Sequence, residues 1–117
     1  MNNVELKRET LEMANEYMSN LFSGVKHSVE LLYSGNESEG FSLIPSICEG
    51  IQWVTEVLVL TKDENEDLDL VNILYEKLEE IIESFENKDY ILVADLLNYE
   101  LLSVLQDIQL YIKEKLK

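Results

Sequence analysis

The chain has 117 residues, of which 24 are acidic and 9 basic, giving a formal net charge of −15 at pH 7. This length fits one domain, and we expect residues 1–117 to form a single helical unit. One Cys and one His exclude an internal disulfide and a structural zinc site made of those ligands. The acidity predicts repulsion from nucleic acid phosphates and anionic membrane surfaces, so we expect no direct contact with either.

The amino-terminal sequence lacks the pattern of a secretory signal. It reads MNNVELKRETLEMANEY, with no basic segment followed by an apolar run. The densest apolar stretch, residues 91–105, is interrupted by Asp95, Asn98 and Glu100, whereas a membrane span needs about 20 mostly apolar residues. We therefore expect a cytoplasmic protein that does not span a membrane.

Apolar residues recur at three- and four-residue steps along the whole chain, which is the period of amphipathic α-helices. Three polar connections divide this pattern into four segments, and they lie at residues 34–40, 62–66 and 87–89. The sequence therefore predicts four helices, over residues 3–33, 42–61, 66–86 and 89–116. Because the connections are short, we predict an all-α fold, an antiparallel up-down-up-down four-helix bundle.

Residues at the helix boundaries support these assignments. Ser42 is suited to cap the second helix, and Pro45 falls in its first turn, where a proline costs little. Asp89 is a good cap for the fourth helix. Polar and small residues between Ser19 and Gly24 leave open a kink in the first helix, but an unbroken apolar stripe favours continuity.

The negative charge is concentrated in the middle of the chain. Residues 34–88 contain 14 acidic and 3 basic side chains, whereas the segments before and after them each have a net charge of −2. We interpret the acidic run 63–69 as a solvated, helix-capping loop. It resembles the start of a calcium loop, but Leu68 and Leu74 stand where an EF-hand needs Gly and Glu.

The residues that support common catalytic chemistry are not suitably placed. A di-iron bundle needs two Glu-x-x-His pairs, and His27 is the single histidine. A nucleophile–base pair of Cys48 with His27 is disfavoured, because Cys48 lies on the inward stripe of its helix and His27 points away from its own. We predict that the protein is not an enzyme and that it has no catalytic residue, metal or cofactor.

Some helices carry more apolar surface than a small bundle needs, since one inward stripe about 100° wide is sufficient. The first helix adds flanking apolar residues, which are Leu6, Met13, Tyr17 and Leu31. Exposed apolar patches mark binding sites, and aromatic side chains are favoured there. We predict an interface made by six residues of the second and fourth helices, which are Trp53, Val57, Leu60, Leu92, Leu96 and Tyr99.

Such an interface has two occupants to consider, a second copy in a symmetric homodimer or an amphipathic helix of another protein. The leading hypothesis is therefore an adaptor or chaperone-like interaction protein that forms a homodimer. The alternative for the patch itself is that these helices are more enclosed than a simple bundle supposes.

Two further hypotheses remain open. The first is an acidic decoy that imitates DNA, using carboxylates on one face of the third helix, which are Glu76, Glu79, Glu80, Glu83 and Glu86. The second is a ligand-sensing or enzymatic bundle with a site in its core, bordered by Glu49, Asp95 or Glu100.

Two stretches resemble segments of small uncharacterised acidic all-helical proteins of Gram-positive bacteria. The longer is ENKDYILVADLLNYEL, residues 86–101, and the shorter combines Ile51-Gln52-Trp53 with Leu60-Thr61-Lys62-Asp63. The resemblance implies a helical fold and a bacterial source, and it implies no activity. In size and helix number the chain is also similar to flagellar export chaperones, cytoplasmic bundles that shield an aggregation-prone partner helix, although this similarity is one of architecture alone.

Overall fold

The computed structural model describes residues 3–117, so Met1 and Asn2 of the predicted domain lie outside the described residues. Within these described residues, six α-helices and one π-helical turn follow each other. They are α1 (Asn3–Tyr33), α2 (Glu37–Ser42), α3 (Ile44–Thr61), α4 (Asp69–Glu86), α5 (Tyr90–Asp95), the π turn (Leu96–Leu101) and α6 (Leu102–Lys115). Within residues 3–117 there is no β-strand.

The first helix is continuous, as the apolar stripe predicted. Its 31 residues span roughly 46 Å, close to the longest dimension of the molecule, 49 Å. The small and polar residues between positions 19 and 24 do not break the helix, because Ser19, Asn20 and Ser23 all point to solvent. The inward stripe contains Leu11, Ala14, Met18, Leu21, Val25, Val29 and Leu32.

Four long helical segments pack around one core. On one side α1 contacts α3, and on the other it contacts the continuous segment formed by α5, the π turn and α6. On the opposite side of the core, α4 packs between α3 and that same segment. The chain direction alternates from each segment to the next, so the predicted all-α, up-down-up-down bundle is confirmed.

The connection predicted at residues 34–40 contains the short helix α2, which the sequence analysis missed. The predicted cap Ser42 is wrong, because α3 begins at Ile44 and the Ser42 hydroxyl donates to the Glu39 carbonyl at 2.6 Å. A buried hydrogen bond holds α2 against α1, from the Ser28 hydroxyl to the Gly40 carbonyl at 2.9 Å. A six-residue helix depends on such tertiary contacts, since short helices are marginal alone.

The remaining helix boundaries agree more closely with the sequence. Pro45 lies in the first turn of α3, and the Leu92 N–H donates to the side chain of the predicted cap Asp89 at 3.2 Å. The third predicted helix begins three residues later than expected, at Asp69, because residues 62–68 form a connection held by side chains of α6.

The π turn interrupts the fourth predicted helix. The N–H of Leu102 bonds to the carbonyl of Leu97, five residues earlier, where an α-helix would bond four residues back. Four core residues recur at four-residue steps, namely Val93, Leu97, Leu101 and Leu105. In a regular α-helix each step would rotate the side chain by about 40° around the helix axis, so the three steps would rotate it by about 120°. The extra residue of the π turn reduces this rotation by about 100°, so all four side chains point into the core.

One helical stretch within residues 3–117, Glu37–Thr61, is long and apolar enough to cross a membrane, with a mean hydropathy of 1.4 over its most apolar window. In the bundle, 44% of that window is buried against other helices. The core helix of a folded bundle meets the same criteria of length and composition, and α3 supplies six residues to the hydrophobic core. The absence of membrane contact stays a prediction from sequence.

Candidate interaction surface

The antiparallel pair α1 and α3 leaves an apolar strip uncovered along its outer side. We call it the α1–α3 face, and it consists of Leu6, Met13, Tyr17, Trp53 and Leu60. Leu6 is 55% exposed, Met13 59% and Leu60 72%, whereas the two aromatic rings are half-buried. These residues project outward because the inward stripes of both helices are already filled by other apolar side chains.

The two rings at the centre of this face pack against each other. Tyr17 and Trp53 meet edge-to-face, with ring centroids 5.3 Å apart and planes inclined by 80°. A Cβ atom at Gly50 would collide with the Tyr17 hydroxyl oxygen, so glycine at this position lets the Tyr17 ring lie across α3. Edge-to-face pairs contribute about 0.5–1.5 kcal/mol beyond their buried area, which holds the two rings in place.

Three shallow depressions follow one another along the same helix pair. The end depression, of about 330 Å³, is lined by Asn3, Leu6, Lys7, Thr10, Leu60 and Thr61. The central one, of about 420 Å³, is lined by Tyr17, Ser46, Glu49, Gly50 and Trp53. The third, of about 110 Å³, is lined by Tyr17, Asn20, Leu21, Gly24, Leu43, Ser46 and Ile47. The central and third depressions share Tyr17 and Ser46, and the end depression lies further along the same helix pair, beside Leu6 and Leu60. We call this row of depressions the groove.

The structure divides the three interface residues predicted on the second helix. Trp53 and Leu60 lie on the α1–α3 face, whereas Val57 is only 3% exposed. Val57 comes seven residues after Gly50 and therefore lies on the side of α3 that α1 covers. The prediction of Val57 as an exposed residue is corrected, because α3 is more enclosed than one inward stripe implied.

The three interface residues predicted on the fourth helix are also divided between the surface and the core. Leu92 and Tyr99 are 44% and 72% exposed, but Leu96 is 7% exposed and belongs to the core. The π turn is the physical reason, since the offset in register turns Leu96 inward and leaves Ile91, expected inside, 56% exposed. The prediction of Leu96 as a surface residue is therefore corrected.

Leu92 and Tyr99 do not form one patch. Leu92 lines a depression of about 290 Å³ between α4 and α5, together with Glu80, Glu83, Ser84, Asn87, Asp89 and Leu96. Tyr99 lies beside Tyr33 of α1 instead, where it contributes to the electrostatic environment of that phenol. The six predicted interface residues thus do not share a single surface, and two of them, Trp53 and Leu60, lie on the α1–α3 face.

The carboxylates considered for a core site do not converge. The Tyr33 hydroxyl donates to Asp95 at 2.5 Å, and Glu100 pairs with Lys77 of α4 at 2.6 Å. Glu49 is exposed on α3. Burial, followed by the hydrogen bond to Asp95, raises the pKa of Tyr33 to about 12. These contacts join neighbouring helices at the margin of the core.

The metal and nucleophile candidates are likewise separate. Within residues 3–117, no group of three or more His, Cys, Asp or Glu side chains is arranged to hold a metal ion. Cys48 is half-buried, and this burial raises the pKa of its thiol, whereas His27 is exposed on α1.

A polar cluster holds the α3–α4 connection against α6. The Tyr111 hydroxyl donates to Glu66 at 2.7 Å, and the Lys115 ammonium lies 2.7 Å from Asp63 and 3.0 Å from Glu66. Burial acts to raise the pKa of Glu66, but hydrogen bonds from Tyr111, Lys115 and the Asp63 N–H outweigh it, so the pKa is lowered. The acidic run that was predicted to be a solvated loop is thus partly paired with other side chains. The basic residues in the last turn of α6 are the feature of the sequence that indicated this pairing.

We expect this cluster to lose its stabilising effect at alkaline pH. Burial, and then the hydrogen bond to Glu66, raises the pKa of Tyr111 to about 12. Because the pKa is raised in the folded state, the contribution of Tyr111 is complete below the unfolded value of about 10. It is lost as pH rises through about 12.

Alkaline titration of tyrosinate absorbance tests this expectation. Tyr33 and Tyr111 should each ionise late, near pH 12, and Tyr111→Phe should remove one of these two late transitions. Tyr75→Phe, a matched change of a 46% exposed tyrosine on α4, should leave both. Loss of neither late transition in Tyr111→Phe would contradict the assignment.

The fold and the α1–α3 face together define an all-α four-helix bundle protein with an uncovered apolar groove between two of its helices. The chain belongs to the family described as a domain of unknown function, DUF8042, whose model matches residues 9–111. The match includes Met13, Tyr17, Trp53 and Leu60 of the α1–α3 face. Comparison with curated proteins and with solved structures gave no match. The chain thus belongs to an uncharacterised family, and the resemblance to small acidic helical proteins of Gram-positive bacteria stays a prediction.

Proposed function

We propose that the protein is a cytoplasmic, non-enzymatic adaptor or chaperone-like module whose α1–α3 face binds a helix. The observation that supports this proposal is the groove between α1 and α3, with largely exposed Leu6, Met13 and Leu60 around the Tyr17–Trp53 pair. Contiguous exposed apolar surface is unfavourable in water and marks a binding site in a folded protein. A groove between two helices suits an amphipathic helix, which places its own apolar stripe into the depression.

The size of the groove fits such an occupant. It extends along α1 from Leu6 to Gly24, a rise of roughly 27 Å, which equals five turns of helix. The occupant is either a helix of another protein or the same face of a second copy, as in the homodimer predicted from sequence. Both use the same apolar side chains, so one experiment on this face tests them together.

Photo-crosslinking in the native cells tests the proposal. A photoreactive phenylalanine analogue in place of Leu60 should yield a discrete crosslinked species, because Leu60 lies on the α1–α3 face and is 72% exposed. The same analogue in place of Leu110, which is 66% exposed on α6, is the matched control and should yield none. A crosslink to the same chain identifies a homodimer, and one to another chain identifies a partner. Equal labelling from both positions would contradict the proposal.

The acidic decoy is a second candidate, supported by the exposed carboxylates of α4. All five predicted side chains are exposed, namely Glu76, Glu79, Glu80, Glu83 and Glu86. Lys77 lies among them and pairs with Glu80 at 3.6 Å, which interrupts the negative face. Crosslinking from position 79 to a DNA-binding protein, with none from position 60, would favour the decoy over the adaptor.

A further inference from the structure

We propose that the helix bound by the α1–α3 face belongs to another protein and carries Lys or Arg on both flanks of its apolar stripe. This inference rests on the proposed function of that face and specifies the chemistry of the partner. It is argued from the charges that border the groove.

Acidic residues flank the apolar residues of the face on α1. Glu9 lies three residues after Leu6 and four before Met13, and Glu16 lies three residues after Met13. Residues three and four apart are neighbours on a helix surface, so both carboxylates stand beside the exposed apolar side chains. Both glutamates are exposed.

The same arrangement occurs on α3. Glu49 lies four residues before Trp53 and lines the central depression. Glu56 lies three residues after Trp53 and four before Leu60, and both glutamates are exposed. The groove therefore has an acidic margin on each side, which we call the acidic rim and which consists of Glu9, Glu16, Glu49 and Glu56.

The ion pairs formed within residues 3–117 leave the acidic rim unneutralised. Among the ion pairs formed within residues 3–117, none involves a carboxylate of the rim. Among the described residues that line the three depressions, Lys7 is the one with a basic side chain, and it lies at the end depression beside Leu6 and Leu60. Four carboxylates against one ammonium leave the groove with a negative potential, which attracts a basic partner and accelerates its association.

A second copy is a poor occupant for the same reason. A symmetric interface places identical patches against each other, so the acidic rim of one copy would face that of the other. Like charges brought together in an interface oppose association. A helix with an apolar stripe and basic flanks matches both the groove and its margins.

Three synthetic helical peptides of about 18 residues, the length that five turns require, provide the test. They share one leucine stripe, contain no Trp, and differ only in their flanking residues, which are Lys, Gln or Glu. Trp53 is the single tryptophan of the chain, so its fluorescence reports directly on the α1–α3 face. We expect the Lys peptide to bind at least about ten-fold more tightly than the Gln peptide, as several exposed ion pairs together allow, and the Glu peptide most weakly.

Two matched variants separate the rim from the overall acidity. Replacing Glu9, Glu16, Glu49 and Glu56 by Gln should reduce the affinity for the Lys peptide to that for the Gln peptide. Replacing Glu76, Glu79, Glu83 and Glu86 of α4 by Gln changes the net charge equally and should weaken binding less than about three-fold, since separated surface charges are screened by salt. Equal effects of the two variants would overturn the inference.

The remaining outcomes distinguish the inference from the proposed function. Leu60→Ser should weaken all three peptides, because it removes an apolar contact of the face. If Leu60→Ser weakens binding but the Lys and Gln peptides bind equally, the face binds a helix and the basic partner is wrong. If no peptide changes Trp53 fluorescence, both proposals fail. A dimer in sedimentation that Leu60→Ser dissociates would also overturn the inference, since a second copy would then occupy the groove.

Discussion

Deletion of Tyr99 is expected to leave the bundle folded, whereas deletion of Gln106, seven residues later, is expected to remove most of its stability. Tyr99 lies within the π turn and is 72% exposed. A π turn contains one residue more than the corresponding α-helical turn, so removing one residue restores the regular helix. Val93 on one side and Leu105 on the other then remain directed into the core.

The second deletion has no such compensation. Gln106 lies inside α6, where removing one residue rotates everything after it by about 100° relative to the preceding turn. Ile108 and Ile112, both 0% exposed, would leave the core. Losing a buried isoleucine side chain costs about 2–5 kcal/mol, so the two together approach the whole free energy of unfolding of a small domain, about 5–15 kcal/mol.

Urea unfolding followed by circular dichroism measures both effects. We expect the Tyr99 deletion to change the free energy of unfolding by less than about 2 kcal/mol, within the range of ordinary single substitutions. The Gln106 deletion should lose its cooperative transition. If the two deletions destabilise the protein equally, the π turn is not an accommodated extra residue.

The second large effect is expected at Leu32, where α1 meets α2. Leu32 is 2% exposed, and Leu32→Ala should lower the free energy of unfolding by about 2–5 kcal/mol. A Cβ atom at Gly40 would lie 2.7 Å from both Cγ and Cδ2 of Leu32, so Gly40→Ala overpacks the same contact. Alone, Gly40→Ala should cost about 1–3 kcal/mol.

The two substitutions should compensate each other. In the Leu32→Ala background the two side-chain atoms at 2.7 Å are gone and the backbone N of residue 32, at 3.3 Å, remains close. Gly40→Ala should then cost less than about 1 kcal/mol, because the helix preference of Ala over Gly offsets the remaining contact. A double-mutant cycle in urea gives the coupling energy directly. Leu110→Ala, which removes a 66% exposed leucine on α6, is the control and should be additive with Gly40→Ala. Additivity between positions 32 and 40 would contradict the packing of α2.

Much of this fold follows from local features of the sequence. The helical period, the position of Pro45 and the cap at Asp89 depend on residues close to one another, and all agree with the structure. The helix α2 does not follow, because it is stabilised by the contact of Gly40 with Leu32 and the hydrogen bond from Ser28, which are distant in sequence. The four-residue spacing of its leucines indicated the π turn, because leucines at this spacing drift out of line in a regular α-helix. Assuming a regular α-helix hid this indication.

The sequence indicated individual residues of the candidate site, but it did not indicate that they form one face. Trp53 and Leu60 stand out as surplus apolar residues of one helix, and Met13 and Tyr17 as surplus residues of another. Their union into one face depends on α1 and α3 being neighbours in the bundle, and amphipathic stripes do not specify which helices are adjacent. Leu96 was assigned to the surface because a regular α-helix was assumed. The π turn changes which side of the helix faces solvent, and this places Leu96 in the core.

The π turn also bears on how members of this family should be compared. A helix that absorbs one extra residue in a single turn tolerates both lengths at that point without repacking its core. We therefore expect family members to differ by one residue within positions 96–101, and an alignment should place its gap there. Such a gap in the middle of a helix would record an insertion that the bundle accepted, and it would not indicate a change of fold.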